Sequence, residues 1–229
     1  MKTSRIVLII LGVLLIDQVL KVWIKLNMSL GQEHEIFSWF IIHFVENDGM
    51  AFGITFGGEY GKLALSLFRI VAVVFIGFFL RHLVQSKAPN GLIVSMSLIM
   101  AGAIGNIIDS TIYGVLFSAS TYSQIATFLP EGGGYKPLLY GNVVDMFYFP
   151  LVEGNYPEWV PYIGGNRFRF FQPIFNIADS AITCGVAAII IFQKSFFVEP
   201  TPETVTESNE TTFDANTAQG NVQEAVVES

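Results

Sequence analysis

The sequence predicts a membrane protein built mainly of α-helices. Apolar residues make up 52% of the 229 residues and charged residues only 14%, against roughly 25% charged in a typical soluble domain. Four stretches are apolar and long enough to cross a bilayer as helices, which takes about 20 residues. They lie at about residues 5–24, 63–80, 91–108 and 174–193. This composition argues against a basic nucleic-acid-binding protein, so no nucleic-acid partner is expected.

The first span begins with a basic segment and continues with the apolar run IVLIILGVLLI. A secretory signal peptide is the alternative, because such leaders also combine a basic start with a short apolar stretch. No small-residue cleavage site follows, and residues compatible with a helix continue through DQVLKVWIK. We therefore expect a retained membrane helix.

The other spans are LALSLFRIVAVVFIGFFL, GLIVSMSLIMAGAIGNII and IFNIADSAITCGVAAIIIFQ. Two long loops, 25–62 and 109–173, alternate with two short basic segments, the N-terminus and residues 81–90. Basic residues in short connections stay in the cytoplasm, whereas long segments translocate largely regardless of charge. We therefore expect a multi-pass protein with both termini in the cytoplasm.

Residues 1–198 are predicted to form one membrane domain, and residues 199–229 an acidic tail. The tail has seven acidic residues and no basic one. Because it has few large apolar residues, it cannot bury enough surface to offset the entropy cost of ordering. We expect a disordered cytoplasmic tail, with a partner-binding role as the alternative.

The sequence carries no signal for a metal or a cofactor. Cys184 is the single cysteine, and the three histidines lack metal-ligand spacing. No glycine-rich phosphate-binding loop occurs. No metal, cofactor or internal disulfide is therefore expected.

Each span carries ionisable residues toward one membrane face. Consecutive spans run in opposite directions, so a residue late in an odd-numbered span lies level with one early in an even-numbered span. With the N-terminus inside, these groups gather near the outer leaflet. Each costs at least ~2.5 kcal/mol inside a bilayer and is a candidate for function. The candidates are Asp17, Lys21, Arg69, Asp109 and Asp179.

Structural roles are the alternatives for four of these residues. Asp17 and Lys21 are spaced i, i+4 and can neutralise each other on one helix face. Arg69 can extend toward the head groups, and Asp109 can simply end the third span. Asp179 has no basic residue within a helical turn, so a functional role is favoured for it.

Asn106 with Asp109 and Asn176 with Asp179 share the spacing Asn-x-x-Asp, which places both side chains on one helix face. Asp145 lies outside the spans in the apolar sequence VVDMFYF, where a turn residue is the alternative. Two carboxylates in a poorly solvated site share a proton, so one can activate water while the other acts as an acid. Such a mechanism requires neither a metal nor a nucleophilic side chain.

Five motifs occur in an order that characterises one protein family. They are Asp17-Gln18 with Lys21, Asn47-Asp48-Gly49-Met50-Ala51-Phe52-Gly53, Gly102 to Asp109, Val144-Asp145, and Phe175-Asn176-Ile177-Ala178-Asp179-Ser180. Together they cover most of residues 10–185 and resemble lipoprotein signal peptidase (signal peptidase II), the membrane aspartyl peptidase family that matures bacterial lipoproteins.

The resemblance implies four transmembrane helices in the bacterial cytoplasmic (inner) membrane, with a small extracytoplasmic β-sheet between the first two. It implies that Asp145 and Asp179 form the catalytic dyad. The implied substrate is a diacylglyceryl-modified prolipoprotein, cleaved immediately before the lipidated cysteine. Membrane lipid and globomycin-type inhibitors are further implied partners. The implied pocket-lining or supporting residues are Asn47, Gly49, Asn106, Asp109, Asn176, Asp17 and Lys21.

Three departures from the family pattern bear on the site. Ser110 stands where relatives commonly carry Arg, so the missing cation is expected from Arg69, Arg167 or Arg169. The stretch from Asp109 to Asp145 is unusually long, and residues 153–169 form a second insertion. A lid or partner surface is one interpretation of these insertions, and plain loop extension is the other.

Two other functions remain as alternatives to a peptidase. A small multi-pass carrier also uses carboxylates within the membrane, but it typically places them near the midplane and shows an internal repeat. A catalytically impaired homologue that only binds lipoproteins is the second alternative. The intact aspartate motifs argue against it.

Overall fold

A computed structural model describes residues 1–48, 58–150, 152–170 and 173–196. Gly49 and the acidic tail 199–229 lie outside the described residues, so the predictions made for them remain predictions. The chain divides into two compact units, residues 1–191 and 192–229. In the second unit, the described part is a single helical turn, α6 (Gln193–Phe196).

Three long helices match the first three predicted spans. They are α1 (Thr3–Asn27), α2 (Gly58–Gln85) and α3 (Asn90–Ile108), and each has the length and apolar composition to cross a membrane. α2 extends about five residues beyond the prediction at each end, because helical hydrogen bonding continues past the apolar run. A π-helical turn (Asp109–Tyr113) and the short helix α4 (Gly114–Leu116) continue from α3.

The fourth apolar helix is shorter than predicted. α5 (Ile177–Ile191) has 15 residues and begins three residues after the predicted start of the span. Residues Ile174–Phe175 instead form strand β6, which pairs with a neighbouring strand. A sheet therefore takes up the start of the predicted span, and the count of four membrane crossings remains a prediction.

Glycines on α3 allow close helix packing. A Cβ atom added at Gly102 would lie 2.2 Å from the carbonyl oxygen of Ala178 on α5. One added at Gly105 would lie 2.7 Å from Asp17 Oδ2 on α1. Small residues permit such backbone approach between apolar helices. α3 is therefore the central helix, with α1 and α5 packed directly on it.

The main sheet is antiparallel, with the strand order β1-β2-β3-β6. β1 (Glu33–Phe37) and β2 (Phe40–Asn47) lie between α1 and α2, as the family resemblance implies. β3 (Val143–Tyr148) and β6 come from the second long connection, so half of the sheet forms outside the expected segment. β2 and β3 pair with Val45 opposite Asp145 and Asn47 opposite Val143.

An apolar core joins the sheet to the ends of α1 and the π-helical turn. It consists of Ile24, Met28, Phe44, Tyr113, Phe117, Val144 and Met146, all at most 4% exposed. This packing fixes β3 against the helices.

The two insertions form distinct local structures. Residues 117–142 connect α4 to β3 and contain one isolated bridge, Phe117 with Phe128. β4 (Val152–Asn155) and β5 (Arg167–Phe170) form a separate two-stranded sheet. Trp159 and Tyr162, on the connection between them, are exposed.

Candidate active site

Asp145 lies on an inner strand of the main sheet. The β-branched and aromatic residues of VVDMFY favour a strand, and Asp145 is only 3% exposed within it. Two amides donate hydrogen bonds to its carboxylate. Asn176 Nδ2 lies 2.6 Å from Oδ1 and Asn47 Nδ2 lies 3.3 Å from Oδ2. Both carboxylate oxygens therefore have a fixed donor.

Asp179 lies in the first turn of α5 and takes part in capping that helix. Asn176 Oδ1 accepts a hydrogen bond from the backbone N–H of Asp179 at 2.9 Å. The backbone N–H of Asn176 donates in return to Asp179 Oδ2 at 3.4 Å. This reciprocal arrangement is a capping box, which satisfies backbone donors left open at a helix start. The Asn-x-x-Asp spacing thus fixes the orientation of Asp179.

Two asparagines connect the aspartates. Asn106 Nδ2 donates to Asp179 Oδ1 at 2.8 Å, and Asn176 Nδ2 lies 3.2 Å from Asn106 Oδ1. Burial raises the pKa of Asp145 to about 7, and the negative charge of nearby Asp179 is the second cause of this increase. Asp145 can therefore carry a proton near neutral pH, as one member of a paired acid–base site requires.

A buried ion cluster of Asp17, Lys21 and Asp109 lies beside the aspartate pair. Lys21 Nζ is 3.0 Å from Asp17 Oδ2 and 2.8 Å from Asp109 Oδ2, and all three side chains are at most 1% exposed. The i, i+4 spacing predicts the first of these ion pairs. Asp109 is a second partner that spacing along α1 does not reveal.

The carboxylates of this cluster also bind the backbone next to each candidate catalytic residue. Asp109 Oδ2 accepts a hydrogen bond from the N–H of Val144 at 3.2 Å. Asp17 Oδ1 accepts one from the N–H of Ala178 at 2.9 Å. Val144 and Ala178 directly precede Asp145 and Asp179, so the cluster holds both elements that carry the pair.

Arg69 extends from α2 to the position where the family pattern has its cation. Its Nη1 donates to Ser110 Oγ at 3.3 Å. Its guanidinium is also close enough to interact electrostatically with Asp179, Asp145 and Asp109. Of the three cations that the sequence suggests as replacements, Arg69 is the one with described site contacts. The side chains of Arg167 and Arg169 lie outside the described part of the structure.

Sequence reasoning missed Gln18 as a site residue, although it lies within a quoted motif. Its Nε2 donates to Asp109 Oδ1 at 3.0 Å, and its Oε1 accepts from Tyr113 Oη at 3.1 Å. The sequence signal for Gln18 was a polar amide side chain next to Asp17 in an otherwise apolar helix. Among the described residues, no group of three or more His, Cys, Asp or Glu side chains is arranged to hold a metal ion.

Comparison with known proteins identifies relatives of this chain. The family model described as signal peptidase (SPase) II matches residues 9–196. A lipoprotein signal peptidase of Porphyromonas gingivalis is 53% identical over 184 residues, which are 80% of each chain. One of Amoebophilus asiaticus is 38% identical over 81% of this chain and 75% of its own. A bacterial membrane enzyme solved by the in meso method at 1.9 Å resolution has a TM-score of 0.54 and 28% identity over 82% of this chain and 92% of its own.

The apolar helices and the family match together define a membrane aspartic peptidase, which is a hydrolase. The chain belongs to the signal peptidase II family.

Proposed function

We propose that the protein removes the signal peptide from diacylglyceryl-modified bacterial prolipoproteins, immediately before the lipidated cysteine. The family match and the relatives named lipoprotein signal peptidase support this substrate class. The observation that carries the chemistry is the pair of Asp145 and Asp179, which are linked through Asn176 and Asn106. The peptidase is favoured over an impaired homologue or a carrier.

The proposed mechanism uses one proton shared by the two aspartates. The ionised carboxylate takes a proton from water as the water oxygen attacks the carbonyl carbon of the scissile bond, while the protonated partner polarises the carbonyl oxygen. The tetrahedral intermediate then loses the amine of the cysteine, which leaves with a proton from the pair. The products are a signal peptide carboxylate and a lipidated N-terminal cysteine.

The remaining site residues have supporting roles in this proposal. Asn47, Asn106 and Asn176 orient the two carboxylates. Asp17 and Asp109, which both pair with Lys21, hold the adjacent backbone. Arg69 supplies positive charge beside Ser110. Gly49, which lies outside the described residues, keeps its expected role as a pocket-lining or supporting residue.

The proposed location is the bacterial cytoplasmic (inner) membrane, with both termini in the cytoplasm and the site near the outer leaflet. The short basic segments and the long loops support this orientation. A substrate held in the bilayer by acyl chains then reaches the site by lateral diffusion. Membrane lipid and globomycin-type inhibitors are the other proposed ligands.

The test is to incubate the purified full-length protein in detergent with a prolipoprotein that either carries or lacks the diacylglyceryl group. We expect mass spectrometry to show a new N-terminus at the modified cysteine only. Asp145→Asn protein serves as the inactive control. Cleavage at another bond, or equal cleavage of the unmodified substrate, would contradict the proposed specificity. Folded wild-type protein that binds the substrate without cutting it would favour the impaired homologue.

A further inference from the structure

The insertion at residues 117–142 makes polar contacts with the end of β2. Asn142, just before β3, is at the centre of these contacts. Its Nδ2 donates to Glu46 Oε2 at 3.0 Å, and its Oδ1 accepts from Lys62 Nζ at 2.6 Å and Lys136 Nζ at 3.1 Å. Both lysines also bind Asp48 Oδ1, at 2.6 and 3.2 Å. We call Glu46, Asp48, Lys62, Lys136 and Asn142 the β2-end cluster.

The cluster is anchored on buried groups. Glu46 Oε1 accepts a hydrogen bond from Ser120 Oγ at 2.9 Å and forms an ion pair with Lys25, whose side chain is fully buried. The backbone N–H of Asn142 donates to Tyr135 Oη at 2.6 Å. Lys25 and Tyr135 also contact each other, with the ammonium 4.8 Å from the ring centroid. The insertion is thus joined to β2 and to α1.

Two members of the β2-end cluster, Glu46 and Asp48, lie on either side of Asn47. Successive side chains of a strand point to opposite faces, so Glu46 faces the insertion while Asn47 faces Asp145. Asn47 and Asp145 lie diagonally across the β2–β3 pair, which places both on the same face. Asn142 therefore binds Glu46 directly and Asp48 through the two lysines, and the residue between them contacts the candidate dyad.

We propose that Asn142 is a positioning residue of the peptidase, which holds the end of β2 so that Asn47 keeps its hydrogen bond to Asp145. This inference rests on the proposed function, because it acts on the proposed dyad. It gives the long insertion a specific role in the reaction. The insertion sets the environment of a catalytic carboxylate from the opposite face of the sheet.

A positioning role for Asn142 predicts a change in the pH dependence of activity. The Asn47 hydrogen bond lowers the pKa of Asp145 against the opposing effect of burial, so its loss raises that pKa. The profile of kcat/KM against pH therefore moves to higher pH when Asn47 is misplaced, whereas loss of folded protein only reduces its height. Among the described residues, the other groups that face Asp145 are Asp179 on α5, Lys21 on α1, Arg69 on α2 and the capping residue Asn176.

The experiment measures kcat/KM against pH for the full-length protein with a diacylglyceryl-modified prolipoprotein. The variants are Asn142→Ala, Asn47→Ala and the double variant, with Ser123→Ala as the control in the same insertion. Asn142→Asp is a second, nearly isosteric variant, which keeps an acceptor for both lysines but sets a carboxylate against Glu46. Thermal unfolding of each variant is measured in the same detergent.

We expect Asn142→Ala and Asn142→Asp to lower kcat/KM at neutral pH by about threefold to tenfold, the effect of one hydrogen bond, and to move the profile to higher pH. Asn47→Ala should give the same shift, and the double variant no more than either single one, because both act through one contact. Ser123→Ala should match the wild type.

Three results would overturn the inference, and they show whether the proposed dyad fails with it. If Asp145→Asn abolishes cleavage but both Asn142 variants keep the wild-type profile, the positioning role is wrong and the proposed dyad stands. Additive shifts in the double variant have the same meaning. If Asp145→Asn cleaves as well as the wild type, the dyad and the positioning role are both wrong.

Discussion

Uncharged amides make direct contacts with both aspartates of the proposed dyad. Asn176 binds Asp145 and caps the helix that carries Asp179, so one residue orients both groups. An amide has both a donor and an acceptor, so it can hydrogen-bond a carboxyl group in either protonation state. The contacts therefore fix geometry without fixing which aspartate holds the shared proton, as a reaction with two proton transfers requires.

Burial of Asp145 predicts a pH-dependent stability. Its pKa in the folded protein is about 7, above the value of about 3.9 in an unfolded chain. The folded state therefore loses stability as pH rises from about 4 through 7. Asp145→Asn should remove this loss and make the protein more stable than wild type by at least about 1 kcal/mol at pH 8, with little difference at about pH 3.5. Thermal unfolding at both pH values measures it. A difference independent of pH would contradict the account.

Arg69 is predicted to replace the cation that the family pattern places at position 110. Arg69→Ser should lower kcat/KM by roughly tenfold to a hundredfold, because it removes positive charge beside three carboxylates. Adding Ser110→Arg in the same chain should restore at least about a tenth of the wild-type value. Arg81→Ser, at the far end of α2, is the matched control and should be neutral. No recovery in the double variant would show that Arg69 has a different role.

At this scale, the sequence predicts site residues whose spacing is local and misses those brought in by the fold. The i, i+4 and i, i+3 patterns predict the pairing of Asp17 with Lys21 and the shared face of Asn176 and Asp179. They give no signal that Lys21 also binds Asp109 on another helix. The catalytic roles of Asp145 and Asp179 rest on the family motifs and remain a proposal.

Among the elements, the packing of α5 on α3 determines where Asp179 lies. α3 carries Asn106, and Asp179 lies in the first turn of α5, so the spacing of the two helices sets the Asn106–Asp179 hydrogen bond. Gly102 lies at a close approach of the two helices, where an added Cβ would be 2.2 Å from the carbonyl oxygen of Ala178. The prediction of a longer fourth span failed at its start because pairing of β6 with β3 outweighs the apolar pattern, which does not distinguish a strand from a helix in so short a run.

A methyl group at Gly102 should therefore separate α3 from α5. Gly102→Ala is expected to destabilise the protein by about 1–3 kcal/mol and to reduce activity by about tenfold or more, because a small displacement of Asp179 disturbs the dyad. Gly12→Ala on α1 is the control, because a Cβ there has no neighbour within 4 Å. Unfolding temperature and initial cleavage rate measure the two effects. Equal behaviour of the two variants would contradict this packing.

For the whole molecule, the candidate site is assembled from elements far apart in the chain. Asp17 belongs to α1, Asp179 belongs to α5, and Asp145 belongs to strand β3 between them in the sequence. Composition and hydropathy predict the membrane class and three of the helices, since these depend on local sequence. Assembly of the sheet from two separate segments, and the attachment of the insertion to β2, depend on long-range pairing that local patterns do not contain.

The central claim is that Asp145 and Asp179 together hydrolyse the lipid-modified substrate. The most direct test compares signal-peptide release by wild type, Asp145→Asn and Asp179→Asn, in detergent with a chelator present. We expect release by the wild type and a loss of at least about a thousandfold in each variant, with thermal unfolding showing that both variants are still folded. Undiminished release by either folded variant would remove that aspartate from catalysis and contradict the account.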